Sequence, residues 1–145
     1  MVLIFLVPVD SSIVSVYGQG QVASFSRTPP GYNNQTGAFK LGGQLTNDAG
    51  NGGVCVMFDY FIFNAQAGQA LQGSLLVTGS GRPIDYLVLN SPSQLYSFQN
   101  SNCGIGNWGQ VEPASTVNWT APEDGQYALM FITNGYYGDT VFFTQ

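Results

Sequence analysis

The sequence predicts an all-β fold: an antiparallel β-sandwich, jelly-roll or immunoglobulin-like, forming a single domain with an apolar strand at its N-terminus. Short runs of alternating, β-branched and aromatic residues recur along the chain, separated by Gly, Pro and Asn. A helical period is sustained nowhere, and few stretches free of Gly, Pro and β-branched residues are long enough for three helical turns. With 145 residues, 44% hydrophobic and 14% aromatic, the chain can bury one substantial core and lies far from a disordered composition.

Residues 1–18 open with the apolar run Val2, Leu3, Ile4, Phe5, Leu6, Val7 and Val9. It is too short to cross a bilayer, which takes about 20 residues, so no transmembrane span is expected. Three readings stand: a core strand of its own domain, a strand donated to a neighbour, or the tail of a secretory signal. In the last, Val16-Tyr17-Gly18 offers small residues at the positions a signal peptidase reads.

Residues 19–145 are expected to form the sandwich. The stretch 19–53 is polar and Gly-rich, with turns at Thr28-Pro29-Pro30-Gly31 and across residues 46–53, and one strand over residues 37–45. From Val54 the β signal strengthens. The run VCVMFDYFIFN (54–64) sets Phe58, Tyr60 and Ile62 on one face and Met57, Asp59, Phe61 and Phe63 on the other. Leu71, Gly73, Leu75 and Val77 alternate in the next strand, and Ile84, Tyr86 and Val88 follow a turn at residues 79–83. Strands over residues 95–99, 116–120, 126–133 and 140–144 complete the series.

Charged residues are only 8% of the chain, against roughly 25% in an ordinary soluble domain. The surface must then be built from Asn, Gln, Ser, Thr, Gly and Tyr, as suits extracellular material covered by glycans or by neighbouring subunits. The net charge is −5, and the basic residues Arg27, Lys40 and Arg82 are scattered. Neutralising a phosphate backbone takes clustered Lys and Arg, so nucleic acid is excluded as a partner. In a chain of this exterior composition Cys55 and Cys103 are expected to form a disulfide, the alternative being two buried thiols. Two sequons, Asn34-Gln35-Thr36 and Asn118-Trp119-Thr120, make Asn34 and Asn118 candidate glycosylation sites.

The stretch Trp119-Thr120-Ala121-Pro122-Glu123-Asp124-Gly125-Gln126-Tyr127-Ala128-Leu129-Met130-Phe131-Ile132-Thr133-Asn134 resembles the closing half of GOLD, or emp24-type, lumenal β-sandwich domains. A Pro/acidic/Gly turn leads into alternating Tyr127, Leu129 and Phe131, followed by a last strand through Val141-Phe142-Phe143. The outline, from residue 54 to 145, is also similar to the small β-sandwiches that follow secreted peptidases. The resemblance implies a binding or scaffolding module with no catalytic residues to transfer. Trafficking GOLD domains continue into a coiled coil and a membrane span, whereas the sequence here runs to Gln145, so the cargo-receptor role is not expected to carry over.

No catalytic residue is assigned. Without His, the usual triads and general bases are missing. A glycosidase pair would need two facing carboxylates, for which Asp59 and Asp85 are the conceivable choice. No metal or cofactor is expected: Asn47, Asp48 and Asn51, or Glu123 and Asp124 with Asp139, offer oxygen ligands that turn chemistry explains equally well. Lys40, the sole lysine, reads as a solvated guard on an edge strand. Trp108, Tyr136 and Tyr137 fall outside the main strands and are candidate binding-loop aromatics for glycan or protein. The expectation is a non-enzymatic, secreted or cell-surface structural protein that self-assembles into a filament or coat, by donation of residues 2–9. The alternative is a monomeric GOLD-like binding module.

Overall fold

A computed structural model describes residues 20–22, 24–46, 53–101, 103, 111–134 and 139–145. The donor-strand candidates at residues 2–9, and Trp108, Tyr136 and Tyr137, lie outside these residues, as do Asn47, Asp48 and Asn51. The described chain runs β1 (Phe25–Arg27), β2 (Ala38–Lys40), β3 (Gly43–Thr46), β4 (Val54–Ala65), β5 (Ala70–Thr78), β6 (Asp85–Asn90), α1 (Ser93–Gln99), β7 (Glu112–Pro113), β8 (Thr116–Thr120), β9 (Gly125–Asn134) and β10 (Thr140–Thr144).

Two antiparallel sheets pack face to face. One has the order β2-β10-β5-β8; the other runs β1-β4-β9-β6-β7, with β3 sharing the outer edge of β4. Taken in chain order from β2 and leaving out β3, the strands pair first with last and so inward: β2 with β10, β4 with β9, β5 with β8, β6 with β7. That nested pairing is a jelly roll, so the expected all-β sandwich is present in its jelly-roll form.

The alternation in the sequence decides what lies between the sheets. Met57, Phe61 and Phe63 of β4, Tyr127, Leu129 and Phe131 of β9, and Val141 and Phe143 of β10 point inward and form the main core. Phe61 is its hub, fully buried among the rings of Phe25, Tyr32, Phe39, Phe131 and Phe143, with centroids 4.8–6.0 Å away. The opposite face of the same sheet is also apolar: Phe58, Ile62, Leu87, Leu89, Ala128, Met130 and Ile132 form a second cluster with Leu95 and Phe98 of α1. This explains why β4 and β9 read as near-continuous hydrophobic runs. Their sheet is the middle layer, with the other sheet on one side and a helix on the other.

Two elements differ from the sequence expectation. Residues 95–99 were expected as a strand, and helix as absent; instead Ser93–Gln99 is an α-helix. Leu95 and Phe98, three residues apart, fall on one helical face and bury against the sheet, with the Phe98 ring edge-on to Phe58 at 5.1 Å. A seven-residue helix has little stability of its own, so this packing holds it. Residues 37–45 were expected as one strand; they form two, β2 and β3, which belong to different sheets. The chain crosses between sheets at Leu41-Gly42, where Leu41 enters the core and the Gly42 N–H donates to the buried Asp59 carboxylate at 3.3 Å. Gly43 follows because a Cβ there would lie 2.8 Å from the Phe58 ring and carbonyl.

Cys55 and Cys103 form the expected disulfide, with a Cα–Cα distance of 6.0 Å and a sequence separation of 48. It ties the start of β4 to the chain just beyond α1. No helix among the described residues is long and apolar enough to cross a membrane.

Candidate functional site

One edge of the β2-β10-β5-β8 sheet is β8. In β8, Val117 and Trp119 turn their side chains toward the core, and Thr116, Asn118 and Thr120 turn theirs to solvent. The backbone alternates as well. Ser115 and Ala121 hydrogen-bond to β5 and the turn before it, through Leu75 N–H to Ser115 O, Ala121 N–H to Gln69 O and Gly68 N–H to Ala121 O. By the antiparallel alternation, Val117 and Trp119 also face β5, while Thr116, Asn118 and Thr120 direct N–H and C=O outward. Among the described residues, no strand lies beyond them.

One outward pair is covered from the opposite sheet. The Tyr86 hydroxyl of β6 donates to Asn118 O at 3.2 Å and accepts from the Asn118 N–H at 3.3 Å. One phenol thus occupies both bonds that an added strand would make at the centre of β8. Beside it lies a cleft of about 250 Å³ between the two sheet edges, lined by Tyr86, Val88, Glu112, Asn118 and Trp119. The floor is rigid: Trp119 packs edge-on to Tyr127 at 4.7 Å and Phe63 at 5.6 Å, and the Tyr127 hydroxyl donates to Glu123 O at 2.7 Å, fixing the turn between β8 and β9. Burial, chiefly, pushes the Tyr127 phenol up from its ordinary pKa, so it remains a donor through the neutral range.

The sequence candidates fall at separate places. Asn34 and Asn118 are both exposed, Asn34 in the turn before β2 and Asn118 on the β8 edge, where its Oδ1 accepts from Gln72 Nε2 at 3.3 Å. The conceivable carboxylate pair is not formed. β9 separates Asp59 from Asp85, and the two point to opposite faces of their sheet. Asp59 is buried and accepts from the N–H groups of Gly42 and Tyr60 and from Arg27, whose guanidinium lies 3.6 Å over the Tyr60 ring and donates to Tyr60 O. Arg27 thereby closes the gap that β1 and β3 leave along the β4 edge. Glu123 and Asp124 lie at the opposite end of β9 from Asp139, with a ten-residue strand, roughly 30 Å, between them. Asp124 accepts from the Ala67 N–H, and Asp139 from the N–H and hydroxyl of Ser80. Lys40 is exposed on β2, at the sheet's other edge.

Burial raises the Asp85 pKa. The folded state then holds that proton to higher pH than the unfolded chain, so stability falls as pH rises from the unfolded value through the folded one. Asp85→Asn should therefore be more stable than the native chain at pH 7 and equal to it below pH 3, as urea unfolding at the two pH values would show. A native chain more stable than the variant at pH 7 would mean that the carboxylate has a favourable partner.

Sequence reasoning singled out Asn118 only as a sequon and Tyr86 only as a strand residue. The polar-apolar alternation of Thr116-Val117-Asn118-Trp119-Thr120 does signal a half-exposed strand, but nothing in the sequence indicates that a hydroxyl reaches it from the other sheet. Fold and site together define a jelly-roll domain in which, among the described residues, β8 is an edge strand guarded at its centre by Tyr86. No protein-family model, curated protein or solved structure matches the chain.

Proposed function

We propose that this chain is a non-enzymatic structural subunit of an extracellular assembly, a surface filament or coat, whose copies join when residues 2–9 of one add to the β8 edge of the next. The observation that supports this most directly is the open edge itself: among the described residues, Thr116 and Thr120 present outward backbone groups with no strand beside them, and the outward N–H and C=O of Asn118 are met by the Tyr86 hydroxyl. Strand addition supplies main-chain hydrogen bonds for affinity and a pocket for alternate side chains. Residues 2–9 are apolar on both faces of such a strand, so one set of side chains would enter the cleft against Val88 and Trp119. Donor and acceptor differ, so the contact is heterologous and propagates. The disulfide fits an oxidising, extracellular setting.

The test compares the full chain with one lacking residues 1–17, by light scattering and electron microscopy. Threads should form only from the full chain, and a synthetic peptide of residues 1–17 should bind the truncated subunit one to one and shorten full-chain threads. Tyr86→Phe, which frees the Asn118 N–H and C=O, should tighten peptide binding about tenfold, the equivalent of roughly 1.4 kcal/mol. A full chain that stays monomeric would overturn the reading.

A second reading, a GOLD-like module for glycan or protein, draws support from the same cleft; its loop candidates Trp108, Tyr136 and Tyr137 lie outside the described residues. At about 250 Å³ the cleft falls just under the roughly 300–1,000 Å³ of ordinary small-molecule sites and suits one sugar ring against Trp119. Tyr86→Phe separates the two readings. It should weaken a ligand that hydrogen-bonds the hydroxyl and strengthen a strand that must displace it.

A further inference from the structure

The chain has three basic residues, and two of them, Arg27 of β1 and Lys40 of β2, line one groove of about 340 Å³. The groove lies where the chain passes from β2 to β3, at the opposite edge of the first sheet from β8. Its volume falls within the roughly 300–1,000 Å³ of small-molecule sites.

The charges in it leave donors open. Asp59, buried beneath, is met by the N–H groups of Gly42 and Tyr60 as well as by Arg27. Arg27 gives a single nitrogen, Nη1, to both Asp59 and Tyr60 O, and no described residue accepts from its Nε or Nη2. The Tyr60 ring, 3.6 Å from the guanidinium carbon, fixes the plane in which those two donors lie. That edge is a rigid fork matched to a carboxylate. Lys40 is exposed and makes no ion pair among the described residues. With two cations and one carboxylate lining it, the groove is a positive spot on a chain of net charge −5.

The backbone here is already closed. Where β1 and β3 leave the β4 edge uncovered, the Tyr60 N–H is taken by Asp59, its C=O by Arg27, and the Gly42 N–H by Asp59. An extended peptide finds no main-chain partner at these positions, so recognition rests on side chains and favours a compact ring. Pro30 supplies an apolar wall. The Gln99 amide donates from Nε2 to the Tyr60 hydroxyl at 3.4 Å, which leaves its oxygen for a ligand hydroxyl.

We propose that this groove binds a sugar ring bearing a carboxylate, a uronic-acid unit of an acidic polysaccharide. The carboxylate lies bidentate on Arg27 Nε and Nη2 with Lys40 beside it, and a ring hydroxyl meets Gln99. The site is separate from the β8 edge and does not depend on assembly.

The test titrates D-glucuronate into the full chain at low salt and follows it by NMR shifts. Glucuronate should bind in the millimolar range, as expected for about a dozen heavy atoms, and D-glucose at least tenfold more weakly. Arg27→Lys, which keeps the charge and loses the fork, should weaken glucuronate at least tenfold. Lys40→Gln, at an exposed position where folding is not at stake, should weaken it at least threefold. Arg82→Gln makes the same charge change outside the groove and should leave binding unchanged. Equal binding of glucose and glucuronate, no glucuronate binding below about 50 mM, or equal losses from Lys40→Gln and Arg82→Gln would overturn the proposal. So would an N-acetylglutamate amide that binds as tightly as glucuronate, because the groove would then read a carboxylate without the ring.

Discussion

Phe61→Ala should cost the fold about 3–5 kcal/mol, near the top of the range for removing a buried aromatic side chain. Phe61 is fully buried, and its five ring neighbours come from β1, the turn before β2, β2, β9 and β10. Each ring pair adds about 0.5–1.5 kcal/mol beyond area burial, and the neighbours belong to both sheets, so neither can close the cavity without shifting against the other. Domains of this size are stable by about 5–15 kcal/mol, so the variant would fall close to the unfolding threshold. Urea denaturation is the measurement, with Phe61→Leu as the milder comparison at about 1–2 kcal/mol. A loss below about 1.5 kcal/mol for Phe61→Ala would show that the rings repack.

The other large effect belongs to the disulfide. Closing a loop with a sequence separation of 48 stabilises a fold by about 4 kcal/mol in the chain-entropy picture. Replacing Cys55 and Cys103 together by Ser should remove most of that. The loss should concentrate where the bridge acts, at α1 and the sheet face beneath it, because seven helical residues are held there mainly by Leu95 and Phe98. Hydrogen exchange should then accelerate in α1 and β6 before it does in β5 or β10. Coincident urea curves with and without a reductant would show that packing alone holds the helix down.

The parts of the fold legible in the sequence are those in which one periodicity acts alone. The two faces of β4 follow the predicted alternation, Met57, Phe61 and Phe63 inward and Phe58 and Ile62 outward, and Tyr127, Leu129 and Phe131 of β9 enter the main core as expected. β8 and β10 keep the predicted limits. Where sheet membership changes, periodicity is silent: nothing in Ala38-Phe39-Lys40-Leu41-Gly42-Gly43 says that the chain leaves one sheet for the other, because the Asp59 carboxylate that receives the Gly42 N–H is distant in sequence. The helix was missed for a related reason. Leu95 and Phe98 give only one helical interval, and what selects helix over strand is the apolar outer face of the middle sheet. The candidate site was half visible: alternation exposes β8 as an edge, but the Tyr86 contact depends on how two sheets are stacked.

The two ends of the described chain meet on β5. Gly20 O accepts from the Ala70 N–H at 2.8 Å and the Val22 N–H donates to Ala70 O at 2.8 Å, a parallel bridge where β10 has run out, and Gln145 Nε2 donates to Val22 O at 2.6 Å. The connections from β3 to β4 and from β9 to β10 leave from the opposite pole, since Thr46 pairs with Val54 and Asn134 with Val56 at the start of β4. The domain thus has one pole where the described ends meet and another from which the β3–β4 and β9–β10 connections depart. A reporter or second module fused after Gln145 would sit beside the start of β5, and a short linker from Gln145 to Gly20 would suffice for a circular permutant opened between β3 and β4.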